Sequence, residues 1–230
     1  MHIKDAVVLI SGANRGIGLA FAQGALARGA RKVYAAARNP DDILLPGVEA
    51  CRLDVRSDAE VAELAARCQD VTLVVNNAGI ARPGPLLVAD SLEILRSHLE
   101  TNLFGVLRMM QAFAPILAAH GGGAFLNVLS VASWINTGAL TGYGISKAAA
   151  WSLTNGLRNE LRAQNTQVLA LHMGFVDTDM TRGFEVAKVS PQSIVDEAFA
   201  ALEAGASEVT ADERSRQIKR GLTADPAVYL

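Results

Sequence analysis

The chain of 230 residues is half hydrophobic and 19% charged, which gives enough apolar surface for a substantial core and too little charge for a disordered polymer. Its net charge is −2 and its Lys and Arg residues form no stripe, which excludes nucleic acid as the main partner. No apolar run approaches the roughly 18 to 20 residues of a membrane span. The opening MHIKDAVVLISGA enters a strand pattern at once, so neither a membrane anchor nor a signal peptide is expected, and a cytoplasmic setting is.

The first apolar run, AVVLIS at 6–11, predicts a strand that leads directly into SGANRGIG at 11–18. Glycines at 12, 16 and 18 allow a tight turn and close backbone approach to a pyrophosphate. The helix that follows, Ile17–Arg28, points its first N–H groups at the phosphates. The spacing is GxxxGxG rather than GxGxxG, and Gly12, Asn14, Arg15, Gly16, Ile17 and Gly18 form the candidate cradle. The second strand, KVYAAA at 32–37, is followed by Arg38 where a carboxylate would hold the ribose hydroxyls of NAD. Arg38 together with Arg15 suits a 2′-phosphate, so the expected cofactor is NADP(H). Asp41 and Asp42 follow Pro40 and read as loop or capping residues.

Further strands are predicted at 48–55, 71–77, 124–130 and 167–173, with a weaker run at 208–212. Helix patterns cover Ala59–Arg67, Ser91–His120 with a break, Tyr143–Ala163 and Pro191–Ala204. The strands are continuous apolar runs, as expected where both sheet faces are covered. The alternation predicts an α/β fold: a doubly wound, Rossmann-like parallel sheet of six to seven strands in three αβα layers. One domain is expected over 1–230, with 205–230 its least defined segment. The stretch 101–120 is apolar on nearly every side and reads as a subunit interface in a homodimer or homotetramer, with a central core helix as the alternative. Cys51 and Cys68 lack a metal or redox spacing and read as buried bystanders, and the four histidines match no metal pattern.

Together SGANRGIG, LDV (53–55), NNAG (76–79), the asparagine of TNLFG, LSVAS (129–133), YGISK (143–147) and GFVDTDM (174–180) resemble the short-chain dehydrogenase/reductase family. The resemblance spans roughly residues 5–212 and implies an NAD(P)-dependent oxidoreductase acting on a small carbonyl or alcohol. It implies that Asp54 and Val55 flank the adenine, that Asn77, Ala78 and Gly79 line the cofactor cleft, and that Val176 and Thr178 touch the carboxamide. It also implies a catalytic set of Asn102, Ser130, Tyr143 and Lys147, the last two contacting cofactor as well, with Asn102 holding a water that links Lys147 to solvent. Met173-Gly174 stands where the family usually has Pro-Gly, which predicts a looser strand end there.

The chemistry fits these residue types. A phenol with a pKa near 10 is a sluggish base at neutral pH. A positive charge about 4 Å away is worth roughly 4 kcal/mol at an effective dielectric near 20, about three pKa units. Tyr143 and Lys147 stand four residues apart and share one helix face, so the spacing supplies that cation. Ser130 at a strand end can donate to the substrate oxygen.

The uncharged loop 131–142 offers Trp134, Ile135 and Leu140, and Phe175, Met180 and Phe184 follow near the nicotinamide segment. This wall suits an uncharged, moderately hydrophobic aldehyde or ketone, with Arg82, Arg182 and Lys188 near the entrance. The short segment 178–190 predicts an open site with broad specificity. An epimerase or dehydratase on the same scaffold, and a non-catalytic NADP(H)-binding sensor, are the alternatives. The few residues after Ala204 disfavour the first, and retention of both Tyr143 and Lys147 disfavours the second.

Overall fold

The structure is a computed structural model that describes residues 1–89 and 91–230. Seven strands form one sheet: β1 (Val7–Ser11), β2 (Lys32–Ala37), β3 (Glu49–Arg52), β4 (Leu73–Asn76), β5 (Gly123–Val128), β6 (Thr166–His172) and β7 (Glu208–Thr210). Their spatial order is β3-β2-β1-β4-β5-β6-β7, and every neighbouring pair is parallel. The chain starts mid-sheet, builds outward to β3 and then resumes at β4 on the other side of β1. The strand order therefore reverses between β1 and β4, where a crevice opens above their C-terminal ends.

Alternate β1 side chains enter different cores, which is why its run is apolar throughout. Val8 and Ile10 face α1 (Gly16–Ala27) and α6 (Pro191–Glu203), whose Phe21 and Phe199 meet edge to face at 5.3 Å. Val7 and Leu9 face the opposite layer, which holds α2 (Asp58–Arg67) and α4 (Gly105–Ala119). Burying each such large side chain stabilises by about 1.5–3 kcal/mol.

The break expected in 91–120 takes an unexpected form. Between α3 (Ser91–Leu99) and α4 lies a π turn, Glu100–Phe104, that keeps the helix continuous while inserting one extra residue. The run Ser91–Ala119 is thereby long and apolar enough, with a mean hydropathy of 1.3 in its most apolar stretch, to meet the length of a membrane span. The sequence reading missed this because it treated the two halves separately. Met109, Met110, Phe113 and Leu117 are buried in the chain's own core, not set aside for a partner as expected. The outward side presents Phe104, 44% exposed, with Gln111 and Pro115.

The helix over 143–163 begins earlier, as α5 (Thr141–Glu160), and tightens into a single 3-10 turn at Leu161–Gln164. A further helix, α7 (Glu213–Gly221), was not foreseen because ERSRQIKRG carries no apolar stripe and buries only Ser215 and Ile218. Its N-cap Asp212 holds it in place, accepting from Ser215 N at 2.6 Å and, across to the end of β6, from Gly174 N at 2.6 Å.

Candidate active site

The glycine loop follows β1 into the crevice. Gly12 and Gly16 adopt φ of +68° and +56°, and a Cβ on Gly18 would lie 2.1 Å from the Gly12 carbonyl oxygen. Only glycine permits that approach. Asn77 fixes the loop to the end of β4, its Nδ2 donating to the Ser11 carbonyl at 2.9 Å and the Gly12 carbonyl at 3.1 Å. Ser11 Oγ accepts from the backbone N–H groups of Asn77 (3.0 Å) and Ala78 (3.1 Å). Sequence reading missed Ser11, although a hydroxyl ending the strand beside NNAG was its signal. Asn14 and Ile17 lie half-buried along the same turn. The first turn of α1 has no capping side chain and no acidic residue, so its N–H groups remain open to an anion.

At the rim, Arg38 is exposed beyond β2. Asp54 pairs with Arg56 at 2.5 Å, and this hydrogen-bonded guanidinium, with lesser help from Arg38, holds the Asp54 carboxyl below the usual range. Val55 is buried behind it. Arg15 does not simply join Arg38 as expected, for its Nη1 reaches across the crevice to within 3.5 Å of Asp179 Oδ2. The carboxylate at 179 lay too far along the chain for sequence spacing to pair it with the loop.

Ser130 caps a short turn at Val131–Ser133 just after β5, its Oγ accepting from Ala132 N at 3.1 Å. Tyr143, in the first turn of α5, stands at the same end of the sheet. Burial pushes its phenol up to about 12, opposed by a hydrogen bond with Ser130. Lys147 is buried, with Nζ 5.8 Å from the centre of the Tyr143 ring, and donates to the Val128 carbonyl at 2.7 Å. Burial depresses its ammonium to about 8. The shared face holds, but the expected lowering of the phenol by the ammonium is not seen, because desolvation dominates both groups and the lysine hydrogen-bonds to backbone.

Asn102 sits within the π turn, fully engaged. Its Nδ2 donates to the Ile80 carbonyl and Ser146 Oγ, both at 2.9 Å, and its Oδ1 accepts from Ile80 N at 2.9 Å. It therefore clamps the chain after β4 to α5. Gly79 stands between Asn102 and Lys147, where a Cβ would be 3.2 Å from Asn102 Oδ1 and 3.8 Å from Lys147 Nζ. Buried His98, another residue missed from sequence, accepts from Arg82 N at 2.9 Å and meets the Tyr143 ring edge at 6.4 Å.

Beside Ser130 and Tyr143 is a cavity lined by Ile135, Leu140, Phe175, Met180 and Phe184. Trp134 lies outside it. Its ring turns beneath the sheet end and stacks on buried His172 at 4.0 Å, with Trp151 at an edge. The wall also differs from the uncharged surface expected, because α7 brings Arg214 into it. Val176 is buried and bridges to Val189, while Thr178 lines a neighbouring cavity of about 390 Å³ against the start of α1. The end of β6 is not loose despite Met173, since Asp212 grips the Gly174 N–H.

A family model for short chain dehydrogenases matches residues 6–188. The 3-oxoacyl-(acyl-carrier-protein) reductase FabG of Escherichia coli K12 is 30% identical over 191 residues, covering 79% of this chain and 78% of that protein. A short chain dehydrogenase from Burkholderia cenocepacia J2315, solved in complex with NADP, is 38% identical with a TM-score of 0.94, covering 98% of this chain and 96% of that one. A 7α-hydroxysteroid dehydrogenase complexed with NADH and 7-oxo glycochenodeoxycholic acid is 26% identical with a TM-score of 0.83, covering 91% and 93%. With the motifs in their order and the crevice between β1 and β4, the chain belongs to the short-chain dehydrogenase family.

Proposed function

We propose that the protein is an NADP(H)-dependent oxidoreductase that interconverts a moderately hydrophobic aldehyde or ketone and the corresponding alcohol. The observation that carries this reading is the meeting of Ser130 and Tyr143 at one apolar cavity, with buried Lys147 behind them and the glycine loop alongside. The residues fit a dinucleotide: Gly18 lets the loop close on the Gly12 carbonyl and Asn77, and the uncapped start of α1 offers N–H groups to phosphate. Gly12, Asn14, Arg15, Gly16, Ile17 and Gly18 would hold the pyrophosphate side, and Arg38 the 2′-phosphate. Asp54, Val55, Asn77, Ala78 and Gly79 would line the adenosine and ribose walls, with Val176 and Thr178 at the carboxamide. The NADP complex of the Burkholderia relative supports the phosphorylated cofactor.

With NADP(H) held there, its nicotinamide would be the source or acceptor of the hydride. Ser130 Oγ donates to the substrate oxygen, and one such donor in a water-poor site is worth about 2.7–4 kcal/mol to the transition state. Tyr143, pushed up to about 12, is protonated at neutral pH and poised to give its proton to that oxygen. Lys147, depressed to about 8, is a proton source that exchanges readily near neutrality. Asn102 acts as a positioning residue, fixing α5 and hence the spacing of Tyr143 and Lys147. Phe104, exposed on the π turn that leads into α4, supports assembly into a homodimer or homotetramer.

The test follows NADPH absorbance against a panel of aldehydes, ketones and diketones, with NADH in parallel. Tyr143→Phe should bind NADPH and lose about 10²–10⁴ in turnover. Near-normal turnover by that variant would overturn the reading.

A further inference from the structure

We propose that Arg214 determines substrate specificity by binding a carboxylate, so that the substrate is an oxo acid, or the matching hydroxy acid, with an apolar body. This rests on the oxidoreductase reading and adds to it the charge of the molecule. Among the described residues lining the cavity of Ser130 and Tyr143, Arg214 is the one charged side chain. Its basic neighbours on α7 all have a carboxylate partner: Arg216 and Arg220 share Glu213, at 3.1 Å and 2.9 Å, and Lys219 pairs with Glu208. Among the described residues no carboxylate pairs with Arg214. Asp212, the acid nearest in sequence after Glu213, is turned to Gly174 N and Ser215 N.

The guanidinium is also placed with care. Its carbon lies 6.0 Å from the centre of the Phe175 ring, and Gly174 yields the room, since a Cβ there would be 3.0 Å from Arg214 Cδ. A planar cation held against an aromatic wall, facing apolar side chains and open to a ligand, matches the planar fork of a carboxylate. The apolar side chains that share the cavity with Arg214 would take the carbon chain, with the carbonyl against Ser130 and Tyr143.

The experiment uses the full chain saturated with NADP⁺ and measures binding of hexanoate and hexanamide by calorimetry. Wild type should bind hexanoate at least about tenfold more tightly, Arg214→Ala should erase that preference, and Arg214→Lys should retain part of it. Arg216→Ala, which breaks the pair with Glu213 and a bond to the Thr210 carbonyl but does not line the cavity, should leave it intact. Equal binding of the two ligands by wild type, or an undiminished preference in Arg214→Ala, overturns the proposal. In parallel, kcat/KM is measured for 5-oxohexanoate and its methyl ester, and the acid-to-ester ratio should collapse in Arg214→Ala. If the ester is turned over as well as the acid in both proteins, the oxidoreductase reading stands and the role of Arg214 falls. If no oxo compound is turned over yet the hexanoate preference depends on Arg214, the carboxylate site stands and the oxidoreductase reading falls.

Discussion

His172 Nδ1 lies 3.1 Å from the carbonyl oxygen of Ser130, so the imidazole at the end of β6 fixes the peptide that presents the candidate donor just after β5. A carbonyl only accepts, so the proton sits on Nδ1. Burial keeps the ring neutral, pushing its pKa down to about 3. His172→Leu should lower kcat by about tenfold and stability by about 1–3 kcal/mol, the cost of an orphaned buried acceptor. NADPH affinity should stay the same, and an unchanged kcat would remove His172 from the positioning of Ser130.

The same ring gives a pH signature. Unfolded histidine takes a proton near 6.5, whereas folded His172 resists it until about 3. Its contribution is therefore fully present above about 6.5 and is lost at about 1.4 kcal/mol per pH unit as pH falls through that window. Urea titrations of wild type and His172→Leu between pH 7 and pH 4 should show the steeper loss in wild type. Parallel curves would contradict it.

Lys147 stands buried with one backbone partner and a depressed pKa of about 8. At pH 7 it is charged in both folded and unfolded chains, and the folded chain bears the desolvation. Between about pH 8 and 10.5 the unfolded chain alone keeps the proton, so stability from this group rises with pH across that window. Lys147→Met should melt higher at pH 7, by about 2 kcal/mol in stability, while losing turnover. A lower melting temperature would show that the bond to Val128 outweighs the burial of charge.

Arg38 carries the cofactor argument because Arg15 is already paired with Asp179. Arg38→Asp should weaken NADPH by about 10- to 100-fold, the worth of a charge-assisted hydrogen bond, and leave NADH nearly unchanged. Fluorescence titration with both nucleotides decides it; equal losses would defeat the preference.

Gly18→Ala would place a methyl 2.1 Å from the Gly12 oxygen and 2.5 Å from Asn77 Nδ2. The loop must shift, breaking the Asn77 bonds to Ser11 and Gly12. We expect about 2–4 kcal/mol of destabilisation and no measurable nucleotide binding. A stable variant that still binds NADPH would show that the loop has slack.

The five inner strands were legible because a parallel strand covered on both faces must be apolar throughout, and the more polar edge runs at 48–55 and 208–212 also reached the sheet. The glycine loop was legible because its backbone demands glycine. What escaped lay in relations between distant segments. Arg15 found Asp179, Trp134 found His172, and Arg214 reached the cavity from a helix without an apolar stripe. None of these has a local pattern, since each depends on where the sheet brings its loops.

The π turn at Glu100–Phe104 ties chain length to chemistry. The extra residue is absorbed inside the turn, so deleting one residue there would let it relax to ordinary α-helix while α3 and α4 keep their faces. Met109 and Phe113 would stay in the core while Asn102 lost Ile80 and Ser146. A single codon lost in this stretch should thus cost the protein its active-site clamp and leave its core seam in place.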